Sequence, residues 1–468
     1  MSNRDGVKRR EFIKMAGLTG LAGLSFPLPK VIEKGGDDDI LVSPEHYGGF
    51  QVRRSSRDNP FYRVEDSTYA RFDEKNQMFS RALWERETME MERKYAGTRF
   101  EHIKNNDPGF TRLDYAFSTM AWFAHDTQSF YKWTSLRRNP LGRWDPSLFS
   151  LKELTAIIKK VALFYGASLV GIAERDERWF YSNAFVRGNR SDTYRNGVGN
   201  EDDPSRDNLS IPISFEDVDE PVKNIKDRKF LIPKSMKFMI ALAIEMDGDG
   251  VEYGTNCLAG AATGNGYSRM AVTAGTLAEF IRALGYRAIP MGNDTALSIP
   301  VAVDAGLGEL GRHGLLITPK YGPRVRLCKV LTDLPLVPDK PIRFGVTEFC
   351  ETCKKCVRLC PSNAIPDGPR AYQGRDMSNN PGVLKWPVEM FKCYAFWNQN
   401  GINCSNCIAV CPFNKPESWI HDAARLLIGA KSGVLNKGIL KLDDAGGYGL
   451  PKDPNAYWKK DHFIHIKS

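Results

Sequence analysis

Eight of the ten cysteines lie between Cys350 and Cys411, and their spacing is the most specific chemical signal in the chain. The first run reads Cys350-x-x-Cys353-x-x-Cys356-x-x-x-Cys360-Pro361. The second reads Cys404-x-x-Cys407-x-x-x-Cys411-Pro412, with Cys393 upstream. Thiolates at this spacing, each run closed by Cys-Pro, are the ligand pattern of paired [4Fe–4S] clusters. Short loops present three thiolates to one cubane, and the last cysteine of a run points to the other cluster. The ligands therefore cross over. Cluster one takes Cys350, Cys353, Cys356 and Cys411; cluster two takes Cys360, Cys393, Cys404 and Cys407. Zinc knots and disulfides are the competing uses of such cysteines, and neither favours this doubled run ending in Cys-Pro. Cys257 and Cys328 are left over and read as buried structural thiols.

Two adjacent clusters make a one-electron wire, and a wire needs a terminus. The stretch before Cys350 is far longer than a bare electron carrier requires, so a redox site is expected within it.

The N-terminus supports a cofactor-loaded protein. Residues 8–14 read Lys-Arg-Arg-Glu-Phe-Ile-Lys and precede a weakly apolar, Gly-rich stretch at 15–28. Basic residues before a short apolar run make a secretory signal. The pair Arg9–Arg10, with Phe12 and Lys14, resembles the twin-arginine motif. That route exports folded proteins, so clusters inserted in the cytoplasm would survive it. The expected location is the outer face of the cytoplasmic membrane, held peripherally. No apolar stretch reaches the roughly 20 residues that span a bilayer.

Bulk composition is that of a globular protein, with 42% hydrophobic and 26% charged residues. The net charge of +9 is spread along the chain, with no dense Lys/Arg block beside aromatics, so nucleic acid is not an expected partner.

Periodicity supplies the elements that must position the chemistry. A helix is expected near 74–95. Residues 112–135 are dense in aromatics and read as core. An amphipathic helix spans 151–166 and a buried strand 168–174. Residues 180–228, rich in Asn, Asp, Arg and Gly, read as a long inserted loop. Strands are expected at 237–246, 286–291 and 314–319. Helices are expected at 268–284, stopped by Gly285, and within 296–312.

Taken together, RREFIK, this middle region, CETCKKCVRLCP and CSNCIAVCP resemble the catalytic subunit of respiratory reductive dehalogenases. The segment from Gly266 through LGYRAIPMGNDTALSIPVAVDAGLGELGRHGLLITPKYGPRVRLCKV resembles that family's corrinoid-binding core. The resemblance implies an α+β or α/β fold: a nitroreductase-like core holding one corrinoid, base-off, with a ferredoxin-like 2[4Fe–4S] domain. It implies the reaction R–X + 2 e⁻ + H⁺ → R–H + X⁻, with cluster two nearer the corrinoid. Tyr267 in GYSRM matches the family's proton donor, Arg326 in GPRVRLCK its basic residue, and Asn293 in GNDT its site asparagine. Trp397 and Trp122 are the candidate pocket walls. Ser298, Gly306, Gly308, Gly311 and Gly314 are candidate corrinoid contacts, although a tight helix–strand connection explains the glycines as well. No Asp-x-His-x-x-Gly motif supplies a histidine for cobalt.

The expected organisation is a signal at 1–40, an N-terminal unit at 41–150 and a corrinoid core at 151–345. The cluster domain follows at 346–420 and an extension at 421–468. Expected partners are an organohalide, a small integral-membrane anchor subunit and a respiratory electron donor; a homodimer is compatible with the sequence. Two alternatives use the same cysteines. An exported ferredoxin-type carrier leaves residues 240–330 without a role. An epoxyqueuosine-reductase-like enzyme would meet its substrate in the cytosol, which the signal opposes.

Overall fold

The computed structural model describes residues 52–55, 62–127, 129–134, 142–186, 210–415 and 433–459, apart from 448, 450 and 451. The twin-arginine segment, residues 187–209 of the expected loop and residues 416–432 fall outside these. The described residues fall within one compact unit.

The architecture is built on strands that bury both faces. Helix α1 is Arg86–Asn105 and α2 is Arg112–Met120. Helix α3 (Leu151–Phe164) starts at a capping box between Ser150 and Glu153 and leads into strand β1 (Leu169–Glu174). Strands β2 (Asn183–Phe185), β3 (Ser210–Glu216), β4 (Val222–Asn224) and β5 (Lys229–Pro233) form one sheet in the order β2-β3-β5-β4. Strand β6 is Phe238–Glu245, helix α4 is Cys257–Ala283, strand β7 is Ala288–Met291, helix α5 is Ser298–Asp304 and strand β8 is Val325–Thr332. The central sheet runs β1-β6-β8-β7 and every neighbouring pair in it is antiparallel.

This antiparallel sheet fits the α+β form of the expected fold; the α/β form carries a parallel sheet. In β6 the side chains alternate between two cores. Ile240, Leu242 and Ile244 pack with Leu154, Ile158 and the α4 residues Met270 and Leu277. Met239, Ala241 and Ala243 pack on the other face with Phe180, Ile213 and Val301. The period-2 geometry of a strand produces both contacts.

Three expectations change. The described part of 180–228 is not loop, since it supplies β2, β3 and β4. The helix expected near 74–95 is a broken entry, with only short turns before α1. Of the strand expected at 314–319, only Leu316–Ile317 is formed, pairing with Glu309–Leu310.

The C-terminal part is arranged around the cysteines. Helix α6 (Val346–Cys353) ends at Lys354, whose φ of +50° turns the chain toward Cys356. Helix α7 (Met390–Asn400) carries Cys393 and Trp397 and ends at Gly401, φ +71°. Helix α8 (Gly433–Ala445) is tied beneath this region: Lys355 Nζ reaches Asp443 at 2.6 Å and Lys415 Nζ reaches the same carboxylate at 2.8 Å. Among the described residues no helix is long and apolar enough to cross a membrane.

Candidate active site and cluster centres

Tyr267 sits midway along α4, half-buried. Its hydroxyl oxygen accepts a hydrogen bond from Asn293 Nδ2 at 3.0 Å. Asn293 stands in the turn after β7 and is exposed, so the pair meets open space on one side. Arg326 lies opposite Ile244 in the sheet, on the same face of β8 as Cys328 and Val330, which pack against α4. Its guanidinium carbon is 4.9 Å from the centroid of the Tyr267 ring, and its Nη2 donates to Thr263 Oγ1 at 3.2 Å. The structure thus brings together the three residues singled out as Tyr, Asn and Arg. Arg324 is elsewhere engaged, with Glu245 at 2.9 Å and Asn414 at 3.1 Å.

Two glycines make this convergence sterically open. A Cβ on Gly264 would stand 2.5 Å from the Trp122 indole, and one on Gly266 would stand 3.0 Å from Arg326 Cγ. Glycine inside a helix costs about 0.5–1 kcal/mol relative to alanine; here the vacated space admits both neighbours of Tyr267. Trp122 stacks on the Tyr267 ring, centroids 5.0 Å apart and planes at 22°, and His125 meets it edge-on at 5.1 Å. Trp122 thus lies against Tyr267, whereas Phe117, Met120 and Phe123 of the same aromatic stretch are exposed rather than core.

The Asn293 turn is braced from below. Tyr181 Oη donates to the Asn293 carbonyl at 2.9 Å. Lys329, almost fully buried, donates from Nζ to the Gly292 carbonyl at 2.6 Å and to Ser298 Oγ at 2.9 Å. Burial pushes the Lys329 ammonium down to about 8, with Asp294 pulling it back up. Burial would raise the Asp294 carboxyl, but Lys223, Lys329, the Thr295 hydroxyl and the Gly292 N–H hold it below the usual carboxylate range. Ser298, expected to touch a corrinoid, is here a partner of Lys329.

Chemically, this is a phenol whose oxygen already accepts an amide N–H and whose ring lies beside a permanent cation. Its own proton is free to be donated, and both neighbours favour the negative charge left behind.

The cysteines separate into the two sets that the crossed-over spacing requires. Cys350, Cys353, Cys356 and Cys411 line one cavity, together with Arg312 and His313. Cys360, Cys393, Cys404 and Cys407 act on one another: the Cys393 thiol feels Cys404 and Cys360, and Cys407 feels Cys404 and Cys393. Cys356 neighbours both sets. Burial pushes the thiols up, Cys353 and Cys404 to about 11 and Cys356 and Cys393 to about 12. All ten cysteines are free. Thiols that burial keeps protonated in spite of nearby Arg312, Lys355 and Arg358 fit an iron cluster, which would supply the larger positive charge that thiolates need.

A link between the wire and the tyrosine was not legible beforehand. The Thr263 hydroxyl lies 3.2 Å from Ser405 Oγ, beside Cys404, while accepting from Arg326. Gly264, Gly266, Thr263, Ser405 and Lys329 are residues that spacing alone did not single out.

Other expected contacts are placed as follows. Trp397, four residues beyond Cys393 on the same helix, packs with Phe79 and Tyr394. The glycine run meets protein. Cβ atoms at Gly306 and Gly308 would stand 2.5 Å from the Lys340 carbonyl and 2.1 Å from the Ile317 carbonyl. At Gly311 the neighbour is the Ile317 side chain at 2.7 Å and at Gly314 it is Val388 at 3.2 Å. The close connection accounts for these glycines.

Comparison with known proteins matches residues 139–336 to the reductive dehalogenase subunit family and residues 349–414 to the 4Fe-4S double cluster binding domain. The tetrachloroethene reductive dehalogenase of Sulfurospirillum multivorans is 41% identical over 341 residues, covering 72% of this chain and 65% of that protein. A tetrachloroethene reductive dehalogenase of Desulfitobacterium hafniense is 42% identical over 318 residues, covering 65% of this chain and 56% of that protein. The chain thus spans somewhat more than half the length of these relatives. Among solved structures, one described as suggesting a mechanism for B12-dependent dehalogenation superposes with a TM-score of 0.62 at 21% identity. It covers 86% of this chain and 49% of the other, and shares the fold.

Proposed function

We propose, on the premise that residues 139–336 belong to the reductive dehalogenase family and residues 349–414 to the double-cluster family, that this chain removes halide from an organohalide: R–X + 2 e⁻ + H⁺ → R–H + X⁻. The observation that carries the reading is Tyr267, Asn293 and Arg326 meeting at one opening, with Thr263 and Ser405 joining them to Cys404.

Two [4Fe–4S] clusters and one corrinoid are the proposed cofactors. The eight thiols fit the clusters by their two separate sets. For the corrinoid, the fit is the open side of the Tyr267–Asn293 pair, where exposed Asn265 interrupts an otherwise buried turn of α4. When bound there, the corrinoid supplies the reduced cobalt at which the carbon–halogen bond is cleaved. A base-off state is proposed from the resemblance to the family, with which the lack of an Asp-x-His-x-x-Gly motif is compatible.

The protein's own contribution is a proton held at Tyr267 Oη. Asn293 Nδ2 orients that oxygen, Arg326 offsets the charge left on it, and Trp122 walls the ring against water. Cys404 would be a ligand of cluster two and its neighbour Ser405 touches Thr263 at the site, so that cluster would be the one to supply the electrons there.

A role as terminal reductase of organohalide respiration, export by the twin-arginine route, a membrane-anchor partner and a respiratory donor belong to the same proposal. Arg9–Arg10 and the apolar run behind them support it. The test is anaerobic turnover of tetrachloroethene, the substrate named for the 41–42% identical relatives, with reduced viologen as donor. One chloride released per two electrons consumed supports the reading. Absence of dehalogenation across chloroethenes, chloroalkanes and chloroaromatics by corrinoid-loaded protein would overturn it.

A further inference from the structure

His313 is buried, 6% exposed, and its Nδ1 accepts the Leu315 backbone N–H at 3.2 Å. An imidazole accepting at Nδ1 carries its proton on Nε2. That Nε2 is itself buried and has no partner among the described residues. His313 is one of the residues lining the cavity bounded by Cys350, Cys353, Cys356 and Cys411. An N–H buried without an acceptor costs about 1–3 kcal/mol, and among the side chains that line this cavity the acceptors are the cysteine sulfurs.

Its neighbour Arg312 is 2% exposed and lines the same cavity. It donates to the carbonyls of Cys350 at 3.0 Å, Pro366 at 2.8 Å and Gly368 at 2.9 Å, and stacks on Trp386 at 4.4 Å. Among the described residues these acceptors are all neutral. The carboxylate that feels its charge, Asp367, is exposed and paired with Lys354 at 2.7 Å. The cation therefore remains available to the cavity, where it acts on Cys350 and Cys356.

The second set of thiols has a different setting. Burial and neighbouring thiols, Cys356 among them, act on Cys393, Cys404 and Cys407; the polar groups beside this set are neutral, with the Asn406 backbone N–H 3.4 Å from Cys404 Sγ and Ser362 Oγ 3.3 Å from Cys360 Sγ.

Reducing a cluster adds negative charge, and hydrogen bonds to its sulfurs together with nearby positive charge stabilise the reduced form. We infer that His313 Nε2–H donates to a sulfur of cluster one and, with Arg312, sets the midpoint potential of cluster one above that of cluster two. The inference rests on the two-cluster reading. Its consequence is that the first electron rests on cluster one, and passage to cluster two is uphill until a second electron arrives.

The test uses full-length protein matured anaerobically, with iron and sulfide analysed before an EPR-monitored redox titration. Two separate one-electron steps are expected in the wild type. In His313→Phe, with iron content unchanged, the higher step alone falls by about 59 mV, a tenfold loss in its reduction equilibrium. The same step in the wild type should show an exchangeable proton and ¹⁵N-histidine couplings in pulsed EPR, absent from the variant. Two unmoved steps in an iron-replete variant overturn the inference. If the variant fails to hold iron, the wild-type histidine couplings decide: their absence overturns it equally. Wild type lacking about eight iron would instead bring down the two-cluster reading itself.

Discussion

Asn293 Nδ2 donates to Tyr267 Oη across 3.0 Å, joining the turn after β7 to the middle of α4. Because the amide fills an acceptor site, the phenol proton is directed elsewhere, toward the open side. Tyr267→Phe removes that proton while keeping the ring between Trp122 and Arg326. Turnover should fall by about 10²–10⁴, the usual worth of a positioned general acid, with iron and corrinoid content unchanged. Activity within a factor of two of wild type would remove Tyr267 as donor.

Gly264→Ala tests the slot that seats Trp122. The added methyl would stand 2.5 Å from the indole, so either Trp122 or α4 must move. Overpacking of this kind costs about 1–3 kcal/mol. A lowered denaturation midpoint and a loss of activity larger than any loss of cofactor are expected. A Gly264→Ala protein as stable and active as wild type would show that the slot is not needed.

Lys329→Met tests the brace beneath Asn293. It removes the Lys329 donor from the Gly292 carbonyl and the Ser298 hydroxyl, leaving the carbonyl the 3.4 Å bond from Ser298 Oγ, and removes a cation facing Asp294, at a cost of about 1–3 kcal/mol. The pH dependence has a definite sign. Burial lowers Lys329 to about 8, against about 10.4 in an unfolded chain. Below about 8 both states are protonated and the cost of burying the charge is present in full. Between about 8 and 10.4 the unfolded state binds more protons, so wild-type stability gains from this group as pH rises. The wild-type minus Lys329→Met difference in unfolding free energy should therefore change over that window and be flat below it. A difference flat across both ranges would mean that Lys329 does not titrate as its burial implies.

Cysteine substitutions test the crossed-over ligands. Cys411→Ser should perturb the cluster held mainly by the first run, and Cys360→Ser the one held mainly by the second. The EPR signals of the two variants should be complementary. If each variant damaged the cluster of its own run, the ligands would not cross.

The sequence was most informative where chemistry dictates spacing. The cysteine runs and the strand FMIALAIE were read within a residue or two. Helix α4 was read from 268, yet it begins at Cys257, because Gly260, Gly264 and Gly266 look like helix breakers until their neighbours are seen. Strand β8 has a weak sequence signal because Arg326 and Lys329 interrupt its apolar pattern, and those two residues are among the ones at the site. Strands β3 and β4 lie in a polar stretch whose alternation is short. The helix–strand connection at Gly306–Gly314 was read both ways, and only packing distances separate the two.

The most direct measurement is elemental and halide analysis of one preparation: full-length protein matured anaerobically with corrinoid, assayed with tetrachloroethene and reduced viologen. About eight iron and one cobalt per chain, with chloride released, is the predicted result. Eight iron without cobalt despite available corrinoid, and no chloride, would contradict the central claim and leave the chain an electron carrier.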